Sequence, residues 1–130
     1  MVSVTPARIA DSRSGVQQIP TAVGALSTAP VQVTGVGGIP GSGVAAVLVN
    51  VTAVWPSGSG YLTVWPSGVS GPGTSSLNFW TGQTVSNTAI IPVGSDGKIQ
   101  VFNGSPGPVQ VVVDVSGYTV PRRRPEPWCR

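Results

Sequence analysis

Valine and isoleucine recur in short blocks that alternate with polar residues, and nearly every block is closed by Gly, Pro, Ser or Asn. A period of two places apolar side chains on one side of an extended strand, as half-buried sheet requires. Eighteen glycines and thirteen prolines, about one residue in four of the 130, punctuate the pattern. Both residue types are costly inside helices and useful in turns. The same Gly and Pro share could mark a disordered chain, but disorder would not preserve the regular blocks of β-branched residues. The reading is all-β: a single antiparallel β-sandwich domain, jelly-roll-like, over residues 1–120, followed by an irregular C-terminal arm over residues 121–130.

Strands are expected near Val2–Thr5, Val31–Thr34, Val44–Trp55, Tyr61–Trp65, Ser75–Trp80, Val85–Pro92, Lys98–Asn103 and Val109–Tyr118, with next to no helix. Val44–Trp55 carries apolar residues in both registers, the pattern of a central strand covered above and below. In the last strand Val111, Val113 and Val115 share one face, and Gln110, Val112 and Asp114 the other. Ser95-Asp96-Gly97 suits a tight turn and predicts a hairpin between the strands on either side. Asn103-Gly-Ser-Pro-Gly-Pro108 links the last two strands. The repeated pentapeptide Val-Trp-Pro-Ser-Gly, at 54–58 and 64–68, reads as a local duplication within a hairpin.

Only 8% of residues are charged, and the net charge of +3 is unevenly placed. Residues 1–120 hold Arg8, Arg13 and Lys98 against Asp11, Asp96 and Asp114. The whole excess lies in residues 121–130, where four Arg meet one Glu126. The body therefore lacks the clustered basic field that nucleic acid requires. No apolar run reaches membrane-spanning length. Met1-Val-Ser-Val-Thr-Pro has neither a basic n-region nor a hydrophobic h-region, so no signal peptide is expected in this chain. The single Cys129 excludes an internal disulfide.

Catalytic chemistry finds few candidates. Histidine, the commonest general base and metal ligand, is absent. One cysteine cannot build a zinc site, and Lys98, beside an Asp-Gly turn, reads as a solvated lysine. No catalytic residue, metal ligand or cofactor site is expected. Asp96 alone falls far short of a calcium cage. Asn50-Val-Thr and Asn103-Gly-Ser match the glycosylation sequon, the first inside a strand expected to be central.

Two groups of residues stand out. Asp114 lies on a valine-rich strand where an unpaired carboxylate would be costly. It is expected to pair with Arg8 or Arg13, so that Arg8, Asp11, Arg13 and Asp114 lock the N-terminal segment to the last strand. The alternative is a ligand site built from the two arginines. Six aromatics, Trp55, Tyr61, Trp65, Phe79, Trp80 and Tyr118, concentrate in the middle of the chain. Trp55, Tyr61, Trp65 and Trp80 suit glycan stacking or subunit contact, with core packing expected for most of the six. Phe79 and Trp80, adjacent on one strand, must face opposite ways.

Several blocks together resemble a known family. Arg8-Ile-Ala-Asp-Ser-Arg, Val44-Ala-Ala-Val-Leu-Val-Asn-Val-Thr-Ala-Val and Gly60-Tyr-Leu-Thr-Val-Trp-Pro-Ser-Gly come first. Ser76-Leu-Asn-Phe, Gly82-Gln-Thr-Val-Ser-Asn, Ile91-Pro-Val-Gly and Val113-Asp-Val-Ser-Gly-Tyr follow. In this order they resemble an uncharacterised β-domain common in secreted and surface proteins of high-GC actinobacteria. The resemblance spans residues 5–120 and implies an extracellular or surface setting without a catalytic motif.

Two functions are therefore expected. The first is a non-catalytic subunit of a symmetric surface assembly, such as a bacteriophage capsid-decorating or tail protein located in the virion. It would be a homo-oligomer, with a trimer the expected form. Its C-terminal arm would hold a partner through Arg122, Arg123, Arg124 and Trp128. The second is a secreted or cell-surface adhesion module that binds carbohydrate through the tryptophans.

Overall fold

The computed structural model describes residues 1–14, 16–19, 21–69 and 77–121, with the backbone alone at 16 and 17. The arm residues Arg122, Arg123, Arg124 and Trp128, and the beginning of the strand expected at Ser75, lie outside the described residues. Nine strands form, and no helix appears among the described residues: β1 (Val2–Asp11), β2 (Val16–Gln17), β3 (Thr28–Gln32), β4 (Ala46–Val54), β5 (Gly60–Pro66), β6 (Leu77–Phe79), β7 (Val85–Pro92), β8 (Lys98–Asn103) and β9 (Gln110–Thr119). They build two antiparallel sheets, β2-β1-β9-β4-β7 and β3-β8-β5-β6. The architecture is a β-sandwich.

The core is the contact between the two inner faces. Val47, Val49, Val51 and Ala53 of β4, with Val111, Val113 and Val115 of β9, meet Leu62 and Val64 of β5 and Ile99 and Val101 of β8. Valine predominates because a β-branched side chain suits the extended backbone and keeps few rotamers to lose. Phe79 is the one aromatic ring in this cluster. Its neighbour Trp80 is exposed, as alternation along a strand requires.

Several expectations need correction. β1 does not stop at Thr5 but continues to Asp11, with register irregularities between Ser3 and Ala7 and between Arg8 and Ala10. Pro6 cannot donate to a ladder, and the first irregularity absorbs it. The two-residue β2 was too short to show any period. β4 is central, between β9 and β7, yet only one of its faces is covered; Leu48, Asn50 and Thr52 are half-buried on the outer side.

Neither expected hairpin exists. The turn at 94–97 forms, with Gly97 at φ 77° and its N–H donating to Gly94 O at 2.9 Å. It carries the chain from β7 in one sheet to β8 in the other. The duplicated Val-Trp-Pro-Ser-Gly likewise spans both sheets: the first copy leaves β4 and the second ends β5. Local turn chemistry was read correctly; the strand partner was not.

At one end of the sandwich, the crossover from β8 to β9 is organised by Asn103, which is wholly buried. Its Nδ2 donates to Val23 O (3.0 Å), Gly24 O (3.0 Å) and Gly107 O (2.8 Å). Its Oδ1 accepts from Ser105 N at 3.0 Å and Ser105 Oγ at 2.6 Å. The Asn103-Gly-Ser sequon is thus part of the interior, with its amide nitrogen engaged. Glycines let neighbouring loops close over this hub. A methyl group at Gly104 would overlap the Tyr61 ring, and one at Gly60 would lie 2.6 Å from Ser105 Cβ. Replacing Asn103 with Ala removes five hydrogen bonds from a buried position and leaves the Ser105 N–H without its acceptor, while Val23 O, Gly24 O and Gly107 O keep Val109 N, Ser27 N and Ser105 Oγ as donors. It is expected to cost about 2–4 kcal/mol of unfolding free energy in urea titration.

Candidate functional site

Among the described residues, the most exposed aromatic side chains lie at this same end of the sandwich. Trp55 directly follows β4 and is 75% exposed; Trp80 directly follows β6 and is 73% exposed. Their segments are laced together. Gly82 N donates to Pro56 O at 2.8 Å, and Thr81 N donates to Ser59 Oγ at 3.0 Å. The hydroxyls of Ser59 and Thr81 lie 3.3 Å apart. Gln83 Oε1 accepts from Trp80 N at 3.0 Å, and Ser57 Oγ donates to Pro108 O at 3.1 Å. Each tryptophan is therefore mounted on backbone tied to a neighbouring loop.

Trp55 is also strained. Its φ of 47° lies in the left-handed region, where a bulky side chain crowds its own carbonyl at a cost of roughly 1–2 kcal/mol. A strained residue whose side chain is largely in solvent gains little packing in return, which directs attention to function. Leu26, with φ 53° and 68% exposure, is a second case at this end, on the turn before β3.

The other two expected aromatics behave differently. Tyr61 and Trp65 alternate along β5 on the outer face of the four-stranded sheet and flank Phe102 of β8. The ring centroids are 6.2 Å apart for Tyr61–Phe102 and 6.3 Å for Trp65–Phe102. Trp65 is half-buried, and Thr63 between them is covered. These rings pack on one another. Of the six aromatics Phe79 lies in the core and Tyr118 packs against it. Trp55 and Trp80 are exposed because each sits just past the end of a strand, Trp80 being the one of the Phe79–Trp80 pair that leaves the core.

The charged cluster lies on the outer face of the five-stranded sheet. Arg8 Nε donates to Asp114 Oδ1 at 3.0 Å, across the β1–β9 register pair of the same two residues. Arg13 grips Asp11 with both Nε (3.0 Å, to Oδ1) and Nη2 (2.9 Å, to Oδ2), and Arg8 Nη1 lies 3.7 Å from Asp11 Oδ2. Arg13 N adds a backbone bond to Asp11 Oδ1 at 3.0 Å. The order Arg13–Asp11–Arg8–Asp114 alternates in sign, so each carboxylate has a guanidinium partner. Arg13's hydrogen bonds hold the Asp11 carboxyl below its usual value, against the opposing effect of burial. The Asp11 carboxylate raises Arg13 in turn. Asp114 is not deeply buried, its side chain keeping 25% of its exposure, so the premise that it needs a partner for burial alone was too strong.

Asn50 and Thr88 extend this row across the sheet, with Thr88 Oγ1 donating to Asn50 Oδ1 at 3.1 Å. A 410 Å³ hollow beside Arg8, Asn50 and Asp114 is where a ligand of the arginine cluster would sit. At the opposite end of the sandwich, a 510 Å³ trough runs between the 41–44 and 93–97 loops, with Gln32 and Thr34 in its wall. Its polar groups are largely committed. Gln32 Nε2 donates to Thr34 Oγ1 at 2.9 Å, and Asp96 accepts from Ser67 Oγ (2.9 Å) and Lys98 N (3.1 Å). Asp96 therefore serves its turn. No group of three or more potential metal ligands occurs among the described residues.

The polar frame of the tryptophans (Ser57, Ser59, Thr81 and Gln83) was not singled out from the sequence, where these residues look like ordinary turn formers. No family model matches the chain, and no curated protein matches it.

Two consequences can be measured. Asp11 has a lowered folded-state value, so its stabilisation is present above the unfolded carboxylate value of about 3.9 and is lost as pH falls through the folded one. Asp11→Asn should cost about 1–3 kcal/mol at neutral pH and flatten the acid-side loss of stability, whereas Asp114→Asn, an exposed pair, should cost at most about 1 kcal/mol. Replacing Trp55 with Gly releases the left-handed strain and is expected to raise unfolding free energy by about 0.5–1 kcal/mol in the same urea titrations.

Proposed function

We propose that this protein is a non-catalytic attachment module of a bacterial or virion surface, and that its contact surface is the end of the sandwich bearing Trp55 and Trp80. The observation that carries this reading is the pairing of exposure with rigidity. Two tryptophans, each about three-quarters exposed, stand on loops hydrogen-bonded to each other, and the Trp55 loop is bonded in turn to Pro108 in the crossover that Asn103 organises. Tryptophan is enriched among residues that dominate binding energy, and a pre-ordered surface loses little entropy on contact. The resemblance to β-domains of actinobacterial surface proteins points the same way. No helix among the described residues is long and apolar enough to cross a membrane.

The test is co-sedimentation of the chain with insoluble cell-envelope material from high-GC actinobacteria. The wild-type chain should be retained, and a Trp55→Ala/Trp80→Ala variant with unchanged fold should be retained about tenfold less or weaker. Equal retention of the two would overturn the reading.

A second reading, a subunit of a symmetric virion-type assembly, draws on β7. This outer strand carries eight uncharged residues and presents Ile90 at 54% exposure, without the charged side chains that commonly protect an outer strand from pairing with another copy. For this reading, sedimentation equilibrium should show an oligomer, a trimer being the expected form, that Ile90→Lys dissociates. A monomeric wild-type chain would remove it.

A further inference from the structure

We infer that the Trp55–Trp80 surface is a binding site for a neutral glycan, an inference that rests on reading this end of the sandwich as the contact surface. The first argument is charge. Segments 21–28, 54–60, 80–85 and 103–109, which make up this end, contain no Asp, Glu, Lys or Arg. Asp11 and Arg13, which reach this end along β1, are joined to each other by two side-chain hydrogen bonds. Phosphate, carboxylate or cationic ligands would find no counter-charge on these segments.

The second argument is the mixture of surfaces. An indole ring offers a broad flat apolar face with an N–H at its edge. The axial hydrogens of a pyranose form a matching apolar face, and its hydroxyls need donors and acceptors at the rim. Ser57, Ser59, Thr81 and Gln83 supply that rim. The oxygen of the Gln83 side chain is engaged with Trp80 N, which turns its amide group into the available donor. Ser57 Oγ donates to Pro108 O and keeps its lone pairs for an incoming hydroxyl. Within 54–60 and 80–85, Trp55 and Trp80 are the only exposed large apolar side chains. A protein interface instead has a dehydrated apolar centre, with polar groups kept to its edge. Here exposed hydroxyls and an amide are carried on the same two segments as the rings, the polar partners that a sugar requires.

The third argument is cost. Sugars bind weakly per contact, so a site must be ordered in advance. The glycine-packed loops meet this condition. A methyl group on Gly58 would lie 2.9 Å from Pro106 Cγ and one on Gly107 would overlap the Ser57 hydroxyl, and Ser57 N donates to Pro108 O at 3.4 Å, so the 55–59 and 103–108 loops are closely packed. The left-handed Trp55 fits the same picture: backbone strain holds a ring out where it can stack.

The test is titration of the full chain with maltohexaose, cellohexaose, mannohexaose and the chitin hexamer, followed by tryptophan fluorescence and calorimetry. At least one should bind saturably and shift the emission, with affinity unchanged from about 0.05 to 1 M salt because no ion pair forms. Trp55→Ala and Trp80→Ala should each weaken binding about tenfold or more, Gln83→Ala less, while Trp65→Phe should not alter it. Trp55→Gly, expected to fold at least as stably as the wild type, keeps the result independent of stability. Saturable binding to none of the four, or binding indifferent to both tryptophans, overturns the inference. The reading on which it rests fails separately. If periodate-treated envelope still retains the chain through Trp55 and Trp80 and protease-treated envelope does not, the contact surface stands and the glycan is excluded.

Discussion

Five hydrogen bonds around one buried amide, that of Asn103, hold together the end of the molecule where both sheets exchange their chain. β8 ends on this residue and β9 begins seven residues later in the other sheet, so the intervening segment must cross the full thickness of the sandwich. A crossing loop leaves the ladders, so its backbone groups must find partners elsewhere, and a second donor on each carbonyl binds the loop to the segments beside it. Asn103 does this with a side chain whose NH2 group is shared among three carbonyls and whose oxygen accepts two bonds. It gathers the carbonyls of Val23, Gly24 and Gly107 and the donors of Ser105. The turn that carries Leu26 and the loop beneath Tyr61 take their positions from it.

The division of polar interactions between the two layers follows from scarcity. A body with three cations and three anions cannot stabilise itself by a dispersed surface network, and exposed pairs contribute little in any case. Four of those six charges are drawn into one chain on the outer face of the five-stranded sheet, where they fasten β1 to β9 across its irregular register. Segments 21–28, 54–60, 80–85 and 103–109 at the tryptophan end carry no charged residue, so the proposed recognition there would draw on ring faces, hydroxyls and amides. Structural economy at one place thus shapes the chemistry available at another.

The strained Trp55 illustrates a trade between stability and contact. A folding-only criterion would favour Gly at a left-handed position, and glycine is plentiful in this chain. Tryptophan at that position adds exposed apolar area and backbone strain together, both unfavourable to the isolated molecule. In the proposed attachment role, a partner covering the ring would return the stabilisation it forgoes.

Much of the architecture was legible in the residues themselves. Period-two valine blocks located most strands, because alternation is a local property that burial of one face imposes directly. The polarity of β9, with Val111, Val113 and Val115 inward and Asp114 outward, followed from the same rule, and scarcity of charge was enough to pair Asp114 with an arginine of the N-terminal segment. Which strand lies beside which was not legible. Asp96-Gly97 specifies a tight reversal, but the same reversal serves a hairpin or a step between sheets, and the choice depends on which inner face the next strand can bury. For the same reason the two copies of Val-Trp-Pro-Ser-Gly, identical in sequence, ended in different environments: Trp55 beyond a strand end in solvent, Trp65 within a strand against Phe102. Composition and period determined that this chain is a sandwich of short strands. Only the packing of one sheet on the other decided which tryptophans face outward, because exposure is a property of what lies opposite a residue and not of the residue itself.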